Sequence, residues 1–200
     1  MSEFINVFLH IDTYLATIVT NYGLYVYALL FLVIFMETGV VATPFLPGDS
    51  LLFAAGAIAA STGLPGQEGL NIWILLPVIA GASIVGDSVN YSIGKYLGAR
   101  AFQNENSRIF KKEYLAQTEE FYREYGDRAI ILGRFFPIIR TFVPFIAGVG
   151  RMDYGRFVFN NIFGGVLWTI IFLGGGYLFG NIQIVKDNFT LVIFGIIILS

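Results

Sequence analysis

The sequence predicts an all-α polytopic membrane protein, and three observations carry that prediction. Of 200 residues, 56% are hydrophobic and only 13% charged, where soluble domains carry about a quarter of charged residues. The apolar residues fall in long runs, and Ile72 to Leu97 and Phe157 to Phe179 both reach the roughly 20 residues that cross a bilayer. The charges are crowded: the first basic residue is Lys95, and seven of the twelve Lys and Arg lie between Lys95 and Arg128.

The elements follow in order within a single domain, 1–200. Residues 1–21 lack a basic n-region and carry Glu3 and Asp12, so they do not read as a cleaved signal. Phe4, Val7, Phe8, Ile11, Tyr14 and Leu15 share one face there, which predicts an N-terminal amphipathic helix lying in the interface. Residues 22–60 read as a re-entrant helical hairpin. Its tip, Thr43 to Asp49, holds the helix breakers Pro44, Pro47 and Gly48, and the exit run Leu51 to Ala60 is too short to span. A spanning helix is predicted over 70–98. Residues 99–128 hold six basic and six acidic residues and read as an amphipathic soluble linker, helical from about Lys111 to Tyr125 and cytoplasmic by its basic content.

Residues 129–150 repeat the grammar of the first hairpin, with Pro137, Pro144 and an Ala-Gly exit at Gly148. A second spanning helix is predicted over 155–181, and 188–200 begins a last one. That run ends about 12 residues in, so further chain is expected. At an offset of 82, Gly94-Lys-Tyr-Leu-Gly98 falls on Gly176-Tyr-Leu-Phe-Gly180. With the linker cytoplasmic, the two hairpin-plus-helix halves are inverted, the plan by which many secondary transporters build an alternating-access site. The plain alternative is that any two Gly-rich apolar halves align somewhere.

Several chemistries are excluded. There is no cysteine, and His10 is the one histidine, so thiolate metal sites, cysteine nucleophiles and Ser-His-Asp triads are ruled out. A net charge of −2 argues against a nucleic-acid partner. Four ionisable residues remain where hydropathy disfavours them: Glu37 and Asp49 around the first hairpin tip, Arg134 and Arg140 around the second. Charge at membrane depth costs about 2.5 to 3.5 kcal/mol per residue on insertion scales, so such groups pair or line a wet cavity. They are either ion-paired glue or an anion site in which the arginine forks bind phosphate oxygens and an acid exchanges protons. A carboxyl among apolar walls prefers its neutral form and one beside an arginine its charged form, which couples protonation to what the arginines hold.

Glu37 is the stronger proton carrier, because Phe31 to Met36 surround it with apolar neighbours. Asp49 either assists it or caps the helix from Leu51. Asp87, Asn90 and Tyr91 share one helical face at i, i+3 and i+4, and either line the pathway or hydrogen-bond across a helix interface. The Gly94/Gly98 and Gly176/Gly180 pairs are helix-packing signals, and Trp73 and Trp168 are interfacial or packing residues. No metal site or cofactor is expected.

Three long motifs carry a resemblance. Glu37-Thr-Gly-Val-Val-Ala-Thr-Pro-Phe-Leu-Pro-Gly-Asp49-Ser-Leu-Leu-Phe-Ala-Ala-Gly56, Gly86-Asp-Ser-Val-Asn-Tyr91 and Gly133-Arg-Phe-Phe-Pro-Ile-Ile-Arg140-Thr-Phe-Val-Pro-Phe-Ile-Ala-Gly148 closely resemble the DedA family of bacterial inner-membrane proteins, related to the eukaryotic VTT-domain scramblases. The resemblance implies a flippase that returns undecaprenyl phosphate, a polyprenyl phosphate carrier lipid, to the cytoplasmic leaflet, driven by the proton or sodium gradient. Some relatives move phosphatidylethanolamine. It also implies that the residues matching Glu37, Asp49, Arg134 and Arg140 are needed for function. On this view the partners are a polyprenyl phosphate or phospholipid and the bilayer, with monomer and homodimer both open. A lipid phosphatase would need a nucleophile that the composition does not supply; a membrane-shaping assembly factor is the other alternative.

Overall fold

The computed structural model describes residues 23–39, 48–61, 70–97, 120, 123–180 and scattered positions from 182 to 196. The expected interfacial helix at 1–21, the hairpin tip with Pro44 and Pro47, most of the 99–128 linker and most of the final run lie outside them. Among the described residues every regular element is helical. In chain order these are α1 (Tyr25–Gly39), α2 (Gly48–Ser61), α3 (Ile72–Leu97), α4 (Ala129–Leu132), α5 (Pro137–Val149), α6 (Tyr154–Thr169) and α7 (Gly175–Phe179). Short 3-10 turns occupy Gly126–Arg128 and Gly133–Phe135, and a π-helical turn, Ile170–Gly174, joins α6 to α7.

Two helices are long and apolar enough to cross a membrane, Ile72–Leu97 and the continuous Tyr154–Phe179, each of 26 residues. The first matches the predicted span. The second starts ahead of the apolar run because Asp153 caps it, its Oδ1 accepting from the Arg156 amide at 3.0 Å. Asn71 does the same for α3: its carbonyl accepts from Leu75 at 2.9 Å and its Oδ1 from the Trp73 amide. The outward faces of both long helices carry Trp73, Val85, Tyr96, Phe159, Phe163 and Leu178, all exposed, as a lipid-facing surface requires.

The chain forms two compact units. The first contains 23–31, 48–61, 70–79 and the described residues from Thr169; the second contains 32–39, 80–97, 120 and 123–168. In the first unit, α2 lies backbone to backbone against the π turn and α7. A Cβ at Gly56 would overlap the Leu173 carbonyl, one at Gly176 the Phe53 carbonyl, and one at Gly180 the Cβ of Ala57. In the second unit, α5 lies equally close to α3, with Gly94 against the Phe145 carbonyl and Gly148 against that of Tyr91. Small residues let backbones approach in this way where lipid supplies no hydrophobic drive. The positions correspond: Gly94 and Tyr91 stand 82 residues before Gly176 and Leu173, and Phe53-Ala-Ala-Gly56 matches Phe145-Ile-Ala-Gly148.

The core of the second unit is Tyr91, Ala129, Ile130, Val143, Ala147 and Phe157. Between α4 and α5 the helical path is broken where Phe136 takes an extended conformation (φ −117°, ψ 116°), the backbone expected of a residue before proline. α5 ends with Arg151 at φ 55°. The Met152 amide donates to the Ala147 carbonyl at 2.9 Å and the Arg151 amide to Gly148 at 3.0 Å, a helix stop usually built on glycine.

Candidate functional site

The second unit gathers most of the buried charge. Glu37, in the last turn of α1, and Arg140, in the first turn of α5, are both buried, and Arg140 Nη1 lies 3.3 Å from Glu37 Oε1. The Arg140 guanidinium also sits 4.8 Å from the centre of the Trp168 ring, so the cation meets a carboxylate on one side and an aromatic face on the other. Trp168 is fully buried, which settles between the packing and interfacial readings.

Arg134 has a different environment. It lies in the 3-10 turn just before the break at Phe136 and is ion-paired with Asp87 of α3. Its Nη1 donates to Ser83 Oγ and its Nη2 to Asp87 Oδ2 and Asn161 Oδ1. Asn161 is oriented in turn, donating from Nδ2 to the Ile84 carbonyl at 3.0 Å. Two glycines of α6 make the room: a Cβ at Gly164 would stand 3.2 Å from Arg134 Nε and one at Gly165 3.5 Å from Nη2. Nε itself has no hydrogen-bond partner among the described residues.

The two arginines therefore differ. Arg134 is surrounded by acceptors from α3 and α6, and a phosphate reaching its fork has to displace Asp87. Arg140 faces the Glu37 carboxylate and the Trp168 ring. Asp87, Asn90 and Tyr91 all bond across helix interfaces. Asn90 donates to the carbonyls of Thr38 and Thr141. The Tyr91 hydroxyl donates to the Met152 carbonyl while its ring stacks on Phe157 at 4.5 Å.

Asp49 belongs to the first unit, buried in the first turn of α2, where the helix amides favour an anion. The helix begins at Gly48 rather than Leu51, so Asp49 and Gly48 are part of it rather than a cap ahead of it. Pro137 opens α5, Pro144 lies inside it and Gly148 makes the close contact with α3. Asn161 and Trp168 are members of the site that the sequence reading did not assign. The signal for Asn161 was a pair of amides, Asn160-Asn161, inside an apolar run; the bonds to Arg134 and Ile84 single out the second.

Comparison with known proteins matches residues 46–178 to the VTT domain model. The chain is 50% identical over 196 residues to the Escherichia coli protein DedA, covering 98% of this chain and 88% of the relative. It is 42% identical over 169 residues to a membrane protein of Mycobacterium tuberculosis, covering 84% and 72%. To the Escherichia coli inner membrane protein YqjA it is 35% identical over 156 residues, covering 78% and 68%. No solved structure matches the chain. These helices thus carry their buried charges in a membrane protein, and the chain belongs to the DedA family of VTT-domain proteins.

Proposed function

We propose that the protein is a lipid transporter rather than an enzyme, a flippase that returns undecaprenyl phosphate across the bacterial inner membrane, coupled to protons or sodium ions. The observation that carries the reading is the buried Glu37–Arg140 pair on the Trp168 face. A membrane-buried arginine whose counter-ion can be neutralised by a proton is a site at which an anion and a proton exchange.

In this mechanism the lipid phosphate takes the place of the Glu37 carboxylate on Arg140, whose planar fork suits phosphate oxygens, and Glu37 leaves as the protonated acid. Release of that proton on the other side restores the ion pair and expels the phosphate. Arg134 adds positive charge from behind and anchors the hairpin through Asp87. Asp49 is the second acid, assisting the proton transfer. The polyprenyl tail stays in lipid throughout, because each CH₂ brought into water costs about 0.8 kcal/mol. The same reading takes the two glycine-locked helix pairs as copies of a re-entrant hairpin repeat, inverted in the membrane with the 99–128 linker cytoplasmic.

The test is native mass spectrometry of the purified protein with undecaprenyl phosphate, phosphatidylethanolamine and neutral undecaprenol, repeated on Arg140→Ala. Selective binding of the phosphate lipid, lost in the variant, is expected. Preference for phosphatidylethanolamine would turn the reading to a general phospholipid flippase, and equal binding of all three would make the arginines structural and the protein an assembly factor.

A further inference from the structure

The residues that follow the exchange pair are tied together by one side chain. Thr38 follows Glu37 and Thr141 follows Arg140, and the Asn90 amide donates one N–H to the Thr38 carbonyl at 3.2 Å and the other to the Thr141 carbonyl at 2.8 Å. Asn90 has no exposed surface. Its orientation is dictated by chemistry, since turning the amide over would set Oδ1 against two carbonyl oxygens. In the orientation that the bonds require, Oδ1 is buried with no hydrogen-bond partner among the described residues, a desolvation left uncompensated.

The flanking glycines explain how one short side chain reaches two helices. Gly86 and Gly94 lie one turn before and one turn after Asn90 on α3. Gly86 receives the end of α1, with a Cβ there only 3.1 Å from the Gly39 amide nitrogen and the Phe35 carbonyl and overlapping the Thr38 hydroxyl. Gly94 receives the Phe145 carbonyl of α5, one turn beyond Thr141. The Thr38 carbonyl lies in the last turn of α1, where carbonyls lack intrahelical donors. Inside α5, the Thr141 carbonyl accepts from Asn90, a donor outside its own helix, next to the Arg140 carbonyl for which Pro144 has no N–H.

We propose that Asn90 is a positioning residue that sets the spacing of the Glu37–Arg140 pair, holding the main chain beside each partner so that the carboxylate and guanidinium stay in register while a phosphate and a proton exchange between them. The inference deepens the exchange-site reading and rests on it for its purpose, but its geometry can be tested without any lipid. A residue that only filled space would change stability without changing how strongly Glu37 and Arg140 depend on each other.

The experiment is a double-variant cycle in detergent, reading melting temperature. Glu37→Gln, Arg140→Gln and their combination are measured with Asn90 present and again with Asn90→Ala. The non-additivity of the two substitutions is expected to be clear with Asn90 and to fall by at least half without it. Unchanged non-additivity would overturn the proposal. Asn90→Ser, which keeps one donor, serves where Asn90→Ala does not fold, and an intermediate loss is expected; no loss would count against the proposal equally. In a parallel arm, Asn90→Ala is expected to weaken undecaprenyl phosphate binding at least five-fold. Failure of the wild-type protein to bind that lipid would remove the exchange-site reading, while the melting cycle would still decide the role of Asn90.

Discussion

Arg134→Gln is the substitution from which the most follows. The Arg134 and Asp87 side chains are each 4% exposed, so losing the arginine leaves a carboxylate out of reach of water without its ion-pair partner. Breaking a buried pair from one side costs about 3–5 kcal/mol, and a chain of this length shifts its melting temperature by about 2–4 °C per kcal/mol. A fall of roughly 6–20 °C follows. Adding Asp87→Asn removes the orphaned charge and leaves two amides able to bond each other, Ser83 and Asn161, so the double variant should recover at least half of the loss. The assay is thermal unfolding in detergent followed by tryptophan fluorescence. Trp168, inside this unit against Arg140, reports on it. A double variant that melts lower than either single would refute the pairing. A recovered double variant that still binds undecaprenyl phosphate is expected if Arg134 acts as an anchor; loss of binding despite recovered folding would make it a phosphate ligand.

Three further outcomes are expected. Gly94→Ala and Gly148→Ala should each destabilise by about 1–3 kcal/mol through overpacking against carbonyls, although alanine is the better helix former by about 1 kcal/mol; Gly81→Ala and Gly175→Ala, with open space at their Cβ positions, should be neutral or stabilising, and denaturant melts compare the four. Arg151→Gly should stabilise by about 1 kcal/mol by relieving the left-handed backbone of the α5 stop, read in the same melts. Arg140→Lys keeps the charge but loses the planar fork and the stacked contact with Trp168, so phosphate-lipid binding should fall at least ten-fold with folding retained; equal affinity would leave charge alone as the determinant.

Much of the frame was legible because apolar length is a strong signal: Ile72–Leu97 is the helix that hydropathy outlines. The break before Pro137 was legible for the steric reason that proline restricts the residue before it. The pairing of charges was not. Two acids and two arginines around the hairpin tips read as one neutral pool, whereas Arg134 takes Asp87, a residue 47 positions away on a spanning helix, and Glu37 takes Arg140. Which acid meets which arginine depends on how helices cross, and the glycines that set those crossings are interchangeable in a sequence until their neighbours are known. Tyr91 shows the same limit. Its spacing from Asp87 suits a pathway wall as well as a core position, and only the Met152 carbonyl and the Phe157 ring decide for the core.

The glycine contacts also restrict how the molecule can move. A helix pair joined by side chains can slide, because rotamers absorb small displacements. α3 and α5 touch main chain to main chain at two reciprocal points, Gly94 on Phe145 and Gly148 on Tyr91, and a shift of one residue would drive Ile93 or Lys95 into a carbonyl. Such a pair behaves like meshed gear teeth, with no intermediate setting between engaged and separated. Any relative movement therefore carries the pair as one stiff lever and is absorbed outside it, beyond the break in the helical path at Phe136 immediately ahead of α5.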